Sequence, residues 1–123
     1  NCSSGGYNGT NNLKPEYYNA FAKYLTDVVD WYSKQEITFR TLEPFNEPSS
    51  KDFWQEYDLS NKTSISAVDE NKFNQEVSTI ECIDDDAKSY VSQYNTHAYR
   101  GNQRLKLLNI SKQDRKKLWM SEV

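Results

Sequence analysis

From Tyr17 onward the apolar residues recur at helical spacing. Tyr17, Phe21, Tyr24, Leu25, Val28, Trp31 and Tyr32 form one face. Pro15 suits a first helical position and Glu16 the positive helix end, so a helix is predicted from Pro15 to about Ser33. The period then changes. Ile37 to Leu42 alternates and is rich in β-branched and aromatic residues, which predicts a strand running into Phe45-Asn46-Glu47. A second, short strand is predicted over Ser64–Val68, ending at Asp69-Glu70-Asn71, and a third over Ser92–Tyr99. A helix at about Asp84–Val91 should precede that third strand. Another short helix at Lys112–Lys116 leads into a strand over Lys117–Ser121. Residues 1–14 are rich in Gly, Asn, Ser and Thr, with Gly5-Gly6 and Asn8-Gly9 as turn signals, and read as a loop. Strands alternating with helices imply parallel βα units and an α/β fold.

One interval breaks the alternation. Between Pro48 and the strand at Ser64 lie about fifteen residues, with Asp52–Tyr57 as a possible single turn. A parallel crossover takes a dozen or more residues and is usually a full helix. The stretch from about Lys51 to Lys62 is therefore expected to be irregular.

Composition narrows the function classes. At 123 residues the chain is long enough for one small domain. Its net charge is -3 and its pI about 5.2, with acidic and basic residues interspersed. Asp84-Asp85-Asp86 and Arg115-Lys116-Lys117 are short solvated runs, so no nucleic-acid footprint is expected. No apolar run approaches the ~20 residues of a membrane span. Nine Tyr, five Phe and three Trp suit a carbohydrate site, because sugar C–H faces stack on rings, although packing accounts for such residues equally well. Sequons at Asn1, Asn8, Asn61 and Asn109 lean toward secretion. Cys2 and Cys82 could pair in an oxidising compartment, but sequence does not fix that bond. Zinc spacing, a phosphate loop and a Ser/His/Asp elbow are all absent. Asp84–Asp86 reads as a helix N-terminal cap and not as a calcium loop.

Two segments end in a glutamate: Pro44-Phe45-Asn46-Glu47-Pro48 and Leu118-Trp119-Met120-Ser121-Glu122-Val123. Asn-Glu-Pro alone is compatible with an ordinary turn. Phe45 precedes it here, and Ser49-Ser50 and Phe53-Trp54 follow. Asn95-Thr96-His97-Ala98-Tyr99 and Leu-Trp-Met-Ser-Glu come downstream in order. Together these segments resemble the catalytic motifs of glycoside hydrolase family 30, nearest its endo-β-1,6-galactanase branch.

That resemblance implies a (β/α)8 barrel, a fold of about 250 residues. The chain, residues 1–123, would be a partial catalytic domain of about strands four to seven, with the fourth helix missing. Glu47, ending strand four, would be the general acid/base, and Glu122, ending strand seven, the nucleophile. Retaining hydrolysis places such carboxyls ~5–5.5 Å apart, one protonated and one ionised. Asn46 resembles the asparagine that hydrogen-bonds the sugar 2-hydroxyl. His97, the sole histidine, is expected to position substrate or nucleophile, since the glutamates already cover proton transfer. Trp54 and Tyr99 are sugar platforms or packing residues, and Trp119, mid-strand, is expected in the core. Asp69-Glu70 is the rival carboxylate pair. Adjacent strand residues face opposite ways, so at most one of the two faces a pocket.

The resemblance implies no cofactor and no metal, a secreted protein, and a polysaccharide or oligosaccharide as partner. It leaves the oligomeric state open. A noncatalytic carbohydrate-binding fragment, a purely structural fragment, and β-1,6-glucanase or glucosylceramidase-like hydrolases remain alternatives.

Overall fold

The computed structural model describes residues 13–44 and 63–123. Pro15–Tyr17 form a single 3-10 turn that leads into α1, Tyr18–Ser33. There follow β1 (Thr41–Leu42), β2 (Ser64–Lys72), α2 (Phe73–Cys82), α3 (Asp85–Tyr90), β3 (Val91–Arg100), α4 (Arg104–Gln113) and β4 (Lys117–Glu122). The strands form one sheet in the order β1-β2-β3-β4, every neighbouring pair parallel. This is the βα succession expected from the sequence. The predicted fourth-helix gap and the Lys51–Lys62 stretch lie outside the described residues.

Three element boundaries differ from the sequence reading. The first strand is confined to Thr41–Leu42; Ile37, at the start of the predicted strand, still closes the helix end, its N–H donating to the Tyr32 carbonyl at 3.1 Å. Glu36 there takes a positive φ of 64°. The last helix spans Arg104–Gln113 and not Lys112–Lys116. Of its residues only Leu107 and Ser111 are buried while Leu105 and Leu108 are exposed, so its apolar pattern does not mark the inner face. Helix α2, Phe73–Cys82, is not marked by the sequence pattern. Its buried positions Phe73, Val77 and Ile80 do follow helical spacing, but Glu76 is buried among them and a polar run precedes them.

The core lies between the sheet and its covering helices. Ile65, Ala67, Val68, Val91 and Tyr94 from the strands pack with Phe73, Val77 and Ile80 of α2 and Leu107 of α4. Burying each such large side chain contributes about 1.5–3 kcal/mol before entropy is counted. The Tyr94 hydroxyl donates to Asp114 Oδ2 at 2.6 Å, tying β3 to the end of α4. Asp84 caps α3 as expected, its Oδ1 accepting from the Ala87 N–H at 2.8 Å.

The opposite face of β3 is polar. Gln93, Asn95 and His97 alternate there and are all buried. Of the register shifts that flank this strand, two leave an extra residue on a neighbouring strand. Val68 pairs with Asn95 and Glu70 with Thr96, leaving Asp69 as an extra residue on β2. Thr96 pairs with Met120 and His97 with Glu122, leaving Ser121 extra on β4.

Candidate active site

At the carboxyl end of the sheet, β3 and β4 bring His97, Tyr99 and Glu122 together. The Tyr99 hydroxyl donates to Glu122 Oε2 at 2.8 Å. His97 Nε2 lies 3.4 Å from Glu122 Oε1 and 3.6 Å from Asp69 Oδ1. The imidazole is buried, whereas the Glu122 side chain is 46% exposed, so the carboxylate has a neighbour at each oxygen and still meets solvent. The His97 and Tyr99 rings meet edge to face, centroids 5.6 Å apart, which orients the phenol toward Glu122. Ser121 Oγ donates to Asp69 Oδ1 and lies 3.3 Å from the Thr96 carbonyl oxygen.

Of the rival pair, Asp69 joins this cluster and Glu70 turns away. Glu70 Oε1 accepts from the Thr79 hydroxyl on α2 at 2.8 Å, and the Glu70 N–H donates to Glu76 Oε2 at 3.0 Å. One carboxylate faces each side. Burial pushes the Glu76 carboxyl up to about 9, against the opposing hydrogen bonds from the Glu70 and Val68 backbone. It is therefore a neutral acid near pH 7, on the helix side of the sheet.

A second polar group lies deeper, behind the cluster. Just past β1, Glu43 Oε2 accepts from Asn95 Nδ2 at 2.6 Å. Asn95 Oδ1 accepts from Gln93 Nε2 at 2.7 Å, and Gln93 Oε1 accepts from Arg40 at 3.4 Å. Burial pushes the Glu43 carboxyl up to about 8. Hydrogen bonds from Ser66 and Asn95 oppose that shift and the Asp69 charge reinforces it. The chain of amides and carboxyl links β1 to β3 across β2, and it satisfies polar groups that would be costly to bury alone.

Of the sequence-predicted site residues, His97, Tyr99 and Glu122 come together. Glu47, Asn46 and Trp54 lie outside the described residues, as does Cys2; Cys82 is exposed at the end of α2. Trp119 is not a core residue. It pairs in register with Asn95 and is 53% exposed, with the Arg40 guanidinium 5.4 Å from its ring centroid. Strand parity puts it on the inner face, which no second layer covers among the described residues. Glu43, Gln93, Asn95 and Ser121 were missed. For Gln93 and Asn95 a sequence signal is the alternation of Gln93, Asn95, His97 and Tyr99 along a strand, polar groups where a doubly covered strand would be apolar. Among the described residues no group of three or more His, Cys, Asp or Glu side chains is arranged to hold a metal ion, and no helix is long and apolar enough to cross a membrane.

Comparison with known proteins gives this arrangement its context. An endo-β-1,6-galactanase of Hypocrea rufa is 27% identical over 150 aligned residues, covering 99% of this chain and 31% of that enzyme. The alignment is longer than the chain, so the galactanase carries residues that this chain lacks. Among solved structures, a glycoside hydrolase family 30 subfamily 8 xylanase from Clostridium acetobutylicum superposes with a TM-score of 0.70 at 26% identity, over 94% of this chain and 34% of the xylanase. An endo-β-1,6-glucanase shares the fold at a TM-score of 0.70 and 24% identity, over 90% of this chain and 30% of that one. The chain thus spans about a third of the length of these relatives, and its four parallel strands with flanking helices are part of a (β/α)8 barrel. The model of O-glycosyl hydrolase family 30 matches residues 1–103, and the chain belongs to that family.

Proposed function

We propose that this chain carries both carboxyl groups of a retaining glycoside hydrolase, with Glu122 as nucleophile and Glu47 as general acid/base. The observation that carries the proposal is the seating of Glu122: at the carboxyl end of a parallel strand, held by Tyr99 and beside His97, with its carboxylate still partly open. In (β/α)8 enzymes that end of the sheet is where chemistry is performed. In the first step Glu122 attacks the anomeric carbon while the glycosidic C–O bond breaks and Glu47 gives its proton to the leaving oxygen. Water then attacks the glycosyl–Glu122 ester. Glu47 takes the water's proton, and the sugar leaves with its β configuration kept and Glu122 again ionised.

Tyr99 and His97 serve this cycle by holding the Glu122 carboxylate in one orientation. The Tyr99 hydroxyl, donating to Glu122 Oε2, also spreads the charge of the carboxylate. Asn46 would bind the 2-hydroxyl of the reacting sugar, and Trp54 would offer an aromatic face to a neighbouring one. The substrate we favour is a β-1,6-linked galactan cleaved internally, supported by the alignment with the galactanase, which continues past residue 103. We further propose that the protein is secreted, in keeping with a sequon at Asn109, an exposed residue of α4.

The test is a panel of β-1,6-galactan, β-1,6-glucan and xylan offered to the full-length protein, with products followed by chromatography and anomeric configuration by NMR. Internal cleavage of the galactan with β product is the expected result. Cleavage of glucan alone would move the substrate assignment to the glucanases. An α product formed first would remove the retaining mechanism altogether.

A further inference from the structure

We infer that Asp69 and Ser121 are positioning residues for Glu122, and that two bulges locked together across β3 are what turn this carboxylate into the cleft. The inference rests on the proposed role of Glu122 as nucleophile.

Strand parity carries the argument. Asn95 pairs with Trp119 and Thr96 with Met120. Continued in step, His97 would pair with Ser121, and Glu122 would fall opposite Ala98. Ala98 belongs to the face that packs against the helix-side core. Side chains alternate with a period of two, so a strand without the irregularity would aim Glu122 away from His97 and Tyr99. The observed pairing is His97 with Glu122. One extra residue, Ser121, makes the difference.

Strand β2 does the same on the other side of β3. Between the pairs Val68–Asn95 and Glu70–Thr96 the extra residue is Asp69, at φ 64° in the left-handed region. A bulge lets one residue leave the ladder and re-aim its side chain, and such features gather at barrel rims beside active sites. Here the two extra residues meet. Ser121 Oγ donates to Asp69 Oδ1, over the backbone of β3, and lies 3.3 Å from the Thr96 carbonyl. One hydroxyl thus ties β4 to β2 while lying against the backbone of β3. Asp69 is fixed in turn from behind, where Glu76 of α2 accepts the N–H of Glu70, the residue that follows the bulge. Both Asp69 and Glu122 lie beside the His97 ring at the same level. Register alone does not hold a bulge in place, since an extra residue can migrate along a ladder; a side-chain bond between the two bulged residues pins both.

The experiment uses the full-length protein with Ser121→Ala, Asp69→Ala, the double variant, Ser121→Thr and Glu122→Gln, each checked for folding by thermal unfolding. A carboxylate misplaced by about 1 Å loses on the order of a hundredfold in rate. Each single alanine variant should therefore lower kcat by about tenfold to a hundredfold, with KM moved far less because substrate contacts are kept. The double variant should lose no more than the worse single one, since both remove the same lock. Ser121→Thr keeps the hydroxyl and should recover most of the loss. If Asp69→Ala does not fold, the contrast between Ser121→Ala and Ser121→Thr decides alone. Losses that multiply in the double variant, or a change confined to KM, would overturn the inference. An inert Glu122→Gln beside an unaffected Ser121→Ala would overturn it while leaving the proposed function standing. Full turnover by Glu122→Gln would remove the reading on which it rests.

Discussion

Glu43 and Glu76 show how this molecule treats a buried carboxyl that is not asked to react. Both are shielded from water, both accept hydrogen bonds, and both keep a proton to about pH 8 and about pH 9. In the unfolded chain each would ionise near its ordinary value of 4.5. The folded form therefore holds more protons than the unfolded one between those limits, and folding stability falls as pH rises through that window. The contribution is complete below 4.5 and is lost by about pH 9. Gln in place of Glu43 keeps an oxygen for the Asn95 amide and has no proton to lose. Urea unfolding of the full-length protein from about pH 5 to about pH 9 should show Glu43→Gln gaining on the unaltered protein toward the alkaline end. A constant difference across that range would mean that Glu43 is ionised in the folded state.

Between elements, one close junction is where the loop after β3 meets the start of α2. Gly101 has φ +107°, and a Cβ there would lie 2.8 Å from the Phe73 nitrogen and 2.9 Å from Asn74 Oδ1. Gly101→Ala combines a strained backbone with a backbone clash and should cost about 1–3 kcal/mol, read as a lowered denaturant midpoint. An unchanged midpoint would show that the loop relaxes freely. The elements most legible in the sequence were those with an unmixed period. The pattern places the end of α1 and the positions of β2, β3 and β4 closely, but of the apolar face of α1 Tyr17, Tyr24, Trp31 and Tyr32 are exposed and the buried residues are Ala22 and Val29. Helix α2 was hidden because Glu76 sits among its buried positions, a polar residue explained only by the β2 backbone it binds. His97, Tyr99 and Glu122 were legible as motif residues. Asp69 was half legible, as one of two carboxylates of which one must face inward. Ser121 lies inside the Leu-Trp-Met-Ser-Glu motif, yet its role depends on register between strands, and pairing is not written in either strand alone.

For the molecule as a whole, β1 and β4 are the outer strands of a four-stranded sheet among the described residues, where a closed barrel has no outer strand. Glu122 lies on β4, so its neighbour on one side only is accounted for. Catalysis needs the carboxyl held within about half an ångström by its surroundings. The 123-residue chain expressed by itself should therefore show no measurable turnover, and a protein carrying the remaining barrel strands should recover it. Robust hydrolysis by the isolated chain, abolished by Glu122→Gln, would show that half a barrel suffices to hold the site.

The central claim is that Glu122 forms a covalent bond to the sugar, and trapping that bond tests it most directly. A 2-deoxy-2-fluoro-β-galactosyl fluoride, whose second step is slowed, is incubated with the full-length protein. The protein is then digested and the labelled peptide sequenced by mass spectrometry. The account predicts one equivalent of fluorosugar on Glu122 and none on Asp69 or Glu47, with turnover lost as the label accumulates. A label on another carboxylate, or inactivation that proceeds unchanged in Glu122→Gln, would contradict it.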